Sequence, residues 1–233
     1  MEQVEEMKRR ALIRRKRAMQ RRMLLFYHSI YLVLITAILL YTASIMPHII
    51  SGIRNDPQVV IDVSKDLEGG TIPLFLQWDE RWGTQKYGAD SMAVTGCGPT
   101  CLSMVRCGLS GDPAWNPLQV AHLAEKEGFY IKGSGSSWTL MSEGAEMIGL
   151  TVHEIIYDEE HILTALRSGI PIIAVMGPGD FTSSGHFIVL TGVDEDGYIT
   201  VCDPNSRDNS TRHWEAQKLI SQIKNLWGYS YSK

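Results

Sequence analysis

The stretch "TGCGPTCLSMV", residues 95–105, sets one cysteine between two glycines, adds a proline two places on and then begins an apolar helical pattern. In that setting Cys97 is a buried small hydrophobe, half of a disulfide, or a nucleophile. Free cysteines are commonly buried and inert, so the choice needs further observations. Gly96 and Gly98 carry no side chains, which leaves room for a substrate backbone to approach the sulfur. Pro99 and the apolar residues Leu102, Met104 and Val105 place Cys97 at the N-terminus of a helix. There the helix dipole and free N–H groups stabilise a thiolate and lower its pKa from about 8.5. Cys101 lies one turn further along and reads as a packing or pairing residue.

A thiolate needs a base. Of seven histidines, His186 in "SSGHFIVLTG" stands out, because it follows the Gly-rich run "GPGDFTSSG" and opens a long apolar strand at a sheet end. A Cys–His pair also needs a group that fixes the imidazole. Asp203 in "VCDPNS" ends the strand that follows His186 through the "DEDG" turn at 194–197, and antiparallel pairing would bring it back to the histidine. Asn205 can serve instead, and "DPN" alone reads as a turn. Gln77 in "LQWDERW" is the candidate oxyanion donor, together with the backbone N–H of Cys97.

The surroundings of this set follow from charge. Residues 1–22 hold nine Lys and Arg against three Glu, a net of +6, while the remainder holds thirteen basic and twenty-three acidic residues, a net of −10. Between them "MLLFYHSIYLVLITAILLYTASIM", 23–46, runs without Asp, Glu, Lys or Arg. As a helix it would be roughly 36 Å long, enough for a hydrocarbon core of about 30 Å. The basic flank predicts a cytoplasmic N-terminus and an external C-terminal part. A cleaved signal peptide is the other reading, with "TAS" at 42–44 as the cut, but its apolar region would be shorter. The expected organisation is a basic tail (1–22), a transmembrane helix (23–46), an extracellular stalk (47–70) with one short strand at 59–63, and a catalytic domain (71–233). Beside a spanning helix the basic tail is drawn to anionic lipid headgroups, so no nucleic-acid partner is expected.

An external domain permits disulfides, and one is expected among Cys101, Cys107 and Cys202. The absence of a CxxC pair, or of a histidine pair at zinc spacing, gives no reason to expect a metal or other cofactor. Helices are predicted from Cys97, from Pro117 capped by Asn116, from Ser137 through "WTLMSEGAEMIG", and over "DEEHILTALRSG" capped by Asp158. "TVHEIIY", "IPIIAVM", "GHFIVLTGV" and "GYITVCD" read as strands. An amphipathic segment, "HWEAQKLISQI", and an aromatic stretch, "LWGYSY", close the chain. Helices first and antiparallel strands after them predict an α+β fold.

"QWDERWG", "TGCGPTCLSMV", "GHFIVLTGV" and "DPNS", in that order, resemble the papain-like cysteine peptidases of the bacteriocin-processing, double-glycine-leader type and their stand-alone relatives. The resemblance covers roughly 72–214. It implies a papain-like domain, a helical lobe facing a β lobe, with Cys97 as nucleophile, His186 as base, Asp203 as orienter and Gln77 as oxyanion donor. In the transporter-borne members the glutamine lies a few residues before the cysteine; here it lies twenty before, and Ser91 holds the near position. "GSGSSW", 133–138, is similar to a segment of the stand-alone relatives and reads as cleft lining or as a capped helix start. Gly96, Gly98, Gly185 and Trp138 are the expected substrate-contacting positions. The expected function is a membrane-anchored, bacterial-type extracellular cysteine peptidase acting on a peptide or protein. The alternatives are a papain-type hydrolase of peptidoglycan stem peptides in the cell wall and a catalytically silent peptide-binding ectodomain. "DLEGG", 66–70, reads as a turn, with self-cleavage after Gly70 as the other reading.

Overall fold

Glycines, prolines and short polar side chains punctuate the chain, and the elements fall between them. The computed structural model describes residues 19, 23, 27, 30–32, 34–37 and 61–232. Those before residue 38 are helical and belong to a unit, Met1–Val59, distinct from the unit Val60–Lys233. Most of the basic tail, most of the predicted span and residues 47–60 of the predicted stalk lie outside the described residues, among which no helix is long and apolar enough to cross a membrane.

Residues 61–70, read as stalk, belong to the domain instead. Ile61 and Val63 are buried in its core and form no strand, and Asn116 Nδ2 donates to the Ile61 carbonyl at 3.3 Å. Apolar side chains at these two positions gain from burial what a solvated stalk would forgo. A 3-10 turn, Ser64–Leu67, follows, and Arg81 ties it down through Asp66 at 2.7 Å while also gripping Asp79 at 2.9 Å.

Strands β1 (Lys86–Tyr87) and β2 (Asp90–Ser91) pair as a hairpin, which leads into helices α1 (Met92–Thr95) and α2 (Cys97–Ser110). Gly96 lies between the two helices, where a side chain is excluded because a Cβ would lie 2.4 Å from the Met92 carbonyl oxygen. Helix α2 ends at Gly111, whose φ of 72° suits glycine. Helix α3 (Pro117–Lys126) starts as predicted, with Asn116 Oδ1 accepting from the backbone of Leu118 and Gln119. Strands β3 (Tyr130–Ile131) and β4 (Gly135–Ser136) form a second hairpin. The helix predicted from Ser137 is two pieces, a 3-10 turn over Trp138–Met141 and α4 (Glu143–Met147), divided at Ser142.

The remaining elements are β5 (Thr151–His153), α5 (Glu159–Arg167), β6 (Ile172–Met176), β7 (His186–Val193), β8 (Ile199–Cys202), α6 (Arg207–Thr211), α7 (Ala216–Ile220) and β9 (Ile223–Ser230). Five strands make one antiparallel sheet in the order β5-β9-β6-β7-β8. The closing aromatic stretch is thus part of an interior strand. Its burial does not alternate cleanly, and the β6–β9 register shifts at Val175/Met176, so no period of two was visible there.

Alternation along β6 and β7 feeds two cores. Ile173, Val175, Phe187 and Val189 face Leu102, Met104 and Val105 of α2, together with Val120 of α3. Ile172, Ala174, Met176, Ile188 and Leu190 face Ile162 and Leu166 of α5, Leu219 of α7 and Trp214. Helices mixed with antiparallel sheets fit the α+β prediction, yet helices cover both faces of the large sheet rather than one. The predicted disulfide does not form, since all four cysteines are free. Cys101 and Cys107 are six residues apart on one helix, a rise of about 9 Å, which exceeds the roughly 7 Å that a disulfide spans.

Candidate active site

Cys97 is the first residue of α2 and lines a groove between the helical layer and the end of the sheet. His186 opens β7 on the opposite wall, and β7 pairs with β8, whose last residue, Cys202, precedes Asp203. This hairpin returns the chain as the sequence predicts. His186 Nε2 lies 2.7 Å from Asp203 Oδ1, and both side chains are buried. With Nε2 engaged there, Nδ1 is the ring nitrogen left for Cys97, whose thiol interacts with the His186 side chain.

Asp203 is itself well held. Oδ1 also accepts from the Asn205 N–H at 2.8 Å, and Oδ2 accepts from Asn209 Nδ2 at 2.8 Å. Its own N–H donates to Ser210 Oγ at 2.9 Å. Between Asp203 and Asn205, the residue on the histidine is therefore Asp203, while Asn205 braces it through the backbone.

The charges support one another. Burial pushes the Cys97 thiol up, but the hydrogen bond and charge of His186, with the N–H groups of Phe187 and Gly98, outweigh it and hold the pKa below the ordinary thiol value. Burial pulls His186 down, yet Asp203 and Cys97 raise it to about 10. Burial raises Asp203, and its bonds to His186, Asn209 and Asn205 bring it below the usual carboxylate range. Thiolate, imidazolium and carboxylate are mutually stabilising.

Gln77 is buried and lines the same groove. Its Nε2 donates to the Ala93 carbonyl at 2.8 Å, which leaves one N–H, and Oε1 has no partner among the described residues. Its backbone N–H donates to the Pro204 carbonyl at 2.7 Å, and Trp78 Nε1 donates to the Asn205 carbonyl at 3.2 Å. The twenty-residue spacing is taken up by the turn at Trp82 and the β1–β2 hairpin. Ser91, at the near position, ends β2 ahead of α1 and makes no side-chain cap.

The groove has a volume of about 650 Å³. Gly185, Trp138 and most of 133–138 line it, as expected, together with Val94, Ile131 and Phe181. Gly96 and Gly98 do not. Their missing side chains make room for the protein rather than for a substrate: a Cβ on Gly98 would lie 2.5 Å from Ser136 Oγ. Two features escaped sequence reading, the support of Asp203 by Asn209 and Ser210, and the apolar lip at Val94 and Phe181. The first had a signal in "DPNSRDNS", where polar residues recur on the short helix that follows the aspartate; the second had none. Among the described residues no group of three or more His, Cys, Asp or Glu side chains could hold a metal ion.

No curated protein matches the chain. The family described as the Peptidase_C39-like family matches residues 71–232, most of the chain and the whole of the groove. Its range takes in Gln77, Cys97, His186 and Asp203 alike, and on that match the chain belongs to the Peptidase_C39-like family.

Proposed function

We propose that the chain is a membrane-anchored, extracellular cysteine peptidase that cuts peptide bonds by way of a thioester. The observation that carries this reading is the continuous line of Cys97, His186 and Asp203 at the edge of an open groove. The Cys97 thiolate adds to the carbonyl carbon of a peptide lying in the groove. The oxygen that gains the charge turns toward the N–H of Cys97 and the free N–H of Gln77 Nε2. The His186 imidazolium gives its proton to the departing amine as the C–N bond breaks, leaving an acyl thioester on Cys97. Neutral His186 then takes a proton from water, hydroxide adds to the thioester, and the acid leaves as the thiolate reforms. Asp203 keeps Nε2 protonated and Nδ1 facing the sulfur throughout. The anchoring part rests on the charge step around 23–46.

One experiment tests both parts. The full chain is alkylated with iodoacetamide from pH 4 to 9, and modified cysteines are read by mass spectrometry, with Cys97→Ala and His186→Ala as controls. Cys97 is expected to react fast well below pH 8, and to lose that reactivity in His186→Ala. On intact cells a membrane-impermeant alkylating reagent is expected to label Cys97 in the membrane fraction. An inert Cys97 sinks the peptidase reading; a reactive Cys97 that is shielded in intact cells sinks the external placement alone.

A further inference from the structure

Tyr87 and Ser136 are a buried polar pair that the chemistry above does not use. They come from different hairpins, β1 and β4, forty-nine residues apart, and their hydroxyl oxygens lie 2.7 Å from each other. Tyr87 is fully buried, with its ring edge-on to Tyr130, whose hydroxyl accepts from the Ala89 N–H at 3.0 Å. Burial, together with the nearby charge of Cys97, holds the Tyr87 hydroxyl protonated by pushing its pKa well up. Ser136 is also buried, yet it lines the groove and rests on Gly98, the residue that follows the nucleophile.

Counting hydrogens gives the direction. Two hydroxyls hold two hydrogens, and the bond between them uses one. Among the described residues neither hydroxyl has another hydrogen-bond partner. If Ser136 donated, the Tyr87 hydrogen would point into the core with nothing to accept it, a state that folding avoids. If Tyr87 donates, the remaining hydrogen belongs to Ser136, which borders the groove, where a ligand can accept it.

Resting on the peptidase reading, we infer that Tyr87 orients Ser136 to donate to a backbone carbonyl oxygen of the peptide beside the scissile bond. Ser136 is then a substrate-binding residue and Tyr87 a positioning residue acting through it. Every peptide offers such a carbonyl at each residue, so the contact fixes the register of the backbone over Cys97 rather than reading a side chain. It also explains why residue 98 is glycine: β4 needs to lie against the first turn of α2 for Ser136 to reach the groove.

The test is a double-mutant cycle on the full chain. A peptide cleaved from a proteome-derived mixture serves as substrate, and kcat/KM is compared for the parent, Ser136→Ala, Tyr87→Phe and the double variant. Ser136→Ala is expected to lower kcat/KM about five- to tenfold, the value of one neutral hydrogen bond. Tyr87→Phe is expected to lower it less, and the double variant no further than Ser136→Ala. Iodoacetamide reactivity of Cys97 is expected to be unchanged in all four, which a distorted site would not preserve. Undiminished hydrolysis in Ser136→Ala, or losses that multiply in the double variant, overturn the inference while leaving the peptidase reading in place. Absence of hydrolysis by the parent across the mixture overturns both.

Discussion

The first and second turns of α2 carry the same residue type in opposite chemical states. Cys97, at the N-terminus, is only partly covered, and the imidazole of His186 and two backbone N–H groups face its sulfur. Cys101, one turn on, is fully buried among apolar side chains, and burial keeps its thiol protonated well above the ordinary value. Cys107 and Cys202 follow Cys101, pushed up by burial to about 11 and about 12. Position on the helix and the presence of a charge partner decide reactivity, and neither is a property of cysteine itself.

The sharpest way to break that contrast is to remove the first cysteine. Cys97→Ala is expected to lower peptide hydrolysis by at least about 10⁴-fold, the scale seen when a covalent nucleophile is lost. Hydrolysis that survives in Cys97→Ala would mean that another group, Cys101 included, performs the chemistry. The measurement is single-turnover cleavage of a peptide that the parent cuts.

A smaller effect is expected from the carboxylate behind the histidine. Asp203→Ala is expected to slow hydrolysis roughly 10²–10⁴-fold. It also removes the acceptor of the Asn205 and Asn209 bonds, so Asp203→Asn, which keeps the shape, isolates the charge. The sign follows from the shifts. Losing the negative charge lets the His186 pKa fall from about 10, so the imidazolium is lost at lower pH. Losing the imidazolium lets the Cys97 pKa rise, so the thiolate is lost at higher pH. The pH–rate profile of Asp203→Asn is expected to narrow from both sides. An unchanged profile would remove Asp203 from the ion pair.

Most of this site was legible because its parts are local. A proline and two glycines announce the start of α2, and Asn116 with Pro117 announces α3. The return of Asp203 to His186 follows from one tight hairpin between two apolar runs. What stayed hidden depends on partners distant in sequence. The interior place of β9 is set by β5 and β6 on either side of it, not by its own pattern. The burial of Ile61 and Val63 needs a core assembled from the rest of the domain. Gly98 reads as an opening for substrate until Ser136, thirty-eight residues away in the chain, is found in the space its side chain would need.

The smallest effect tests the second turn. Cys101→Ala deletes one buried sulfur from a filled core and is expected to lower stability by about 1–2 kcal/mol, read from the urea midpoint. Its hydrolysis rate and its Cys97 alkylation profile are expected to stay within about twofold of the parent, because Cys101 lends no hydrogen bond to the Cys97–His186 pair and a protonated thiol lends no charge. A tenfold slower alkylation in Cys101→Ala would show that packing in the second turn sets the geometry of the first. The contrast between the turns would then be one of degree, with the thiolate held as much by the core beneath it as by the histidine beside it. Equal rates would locate the whole difference in the helix terminus and its imidazole partner.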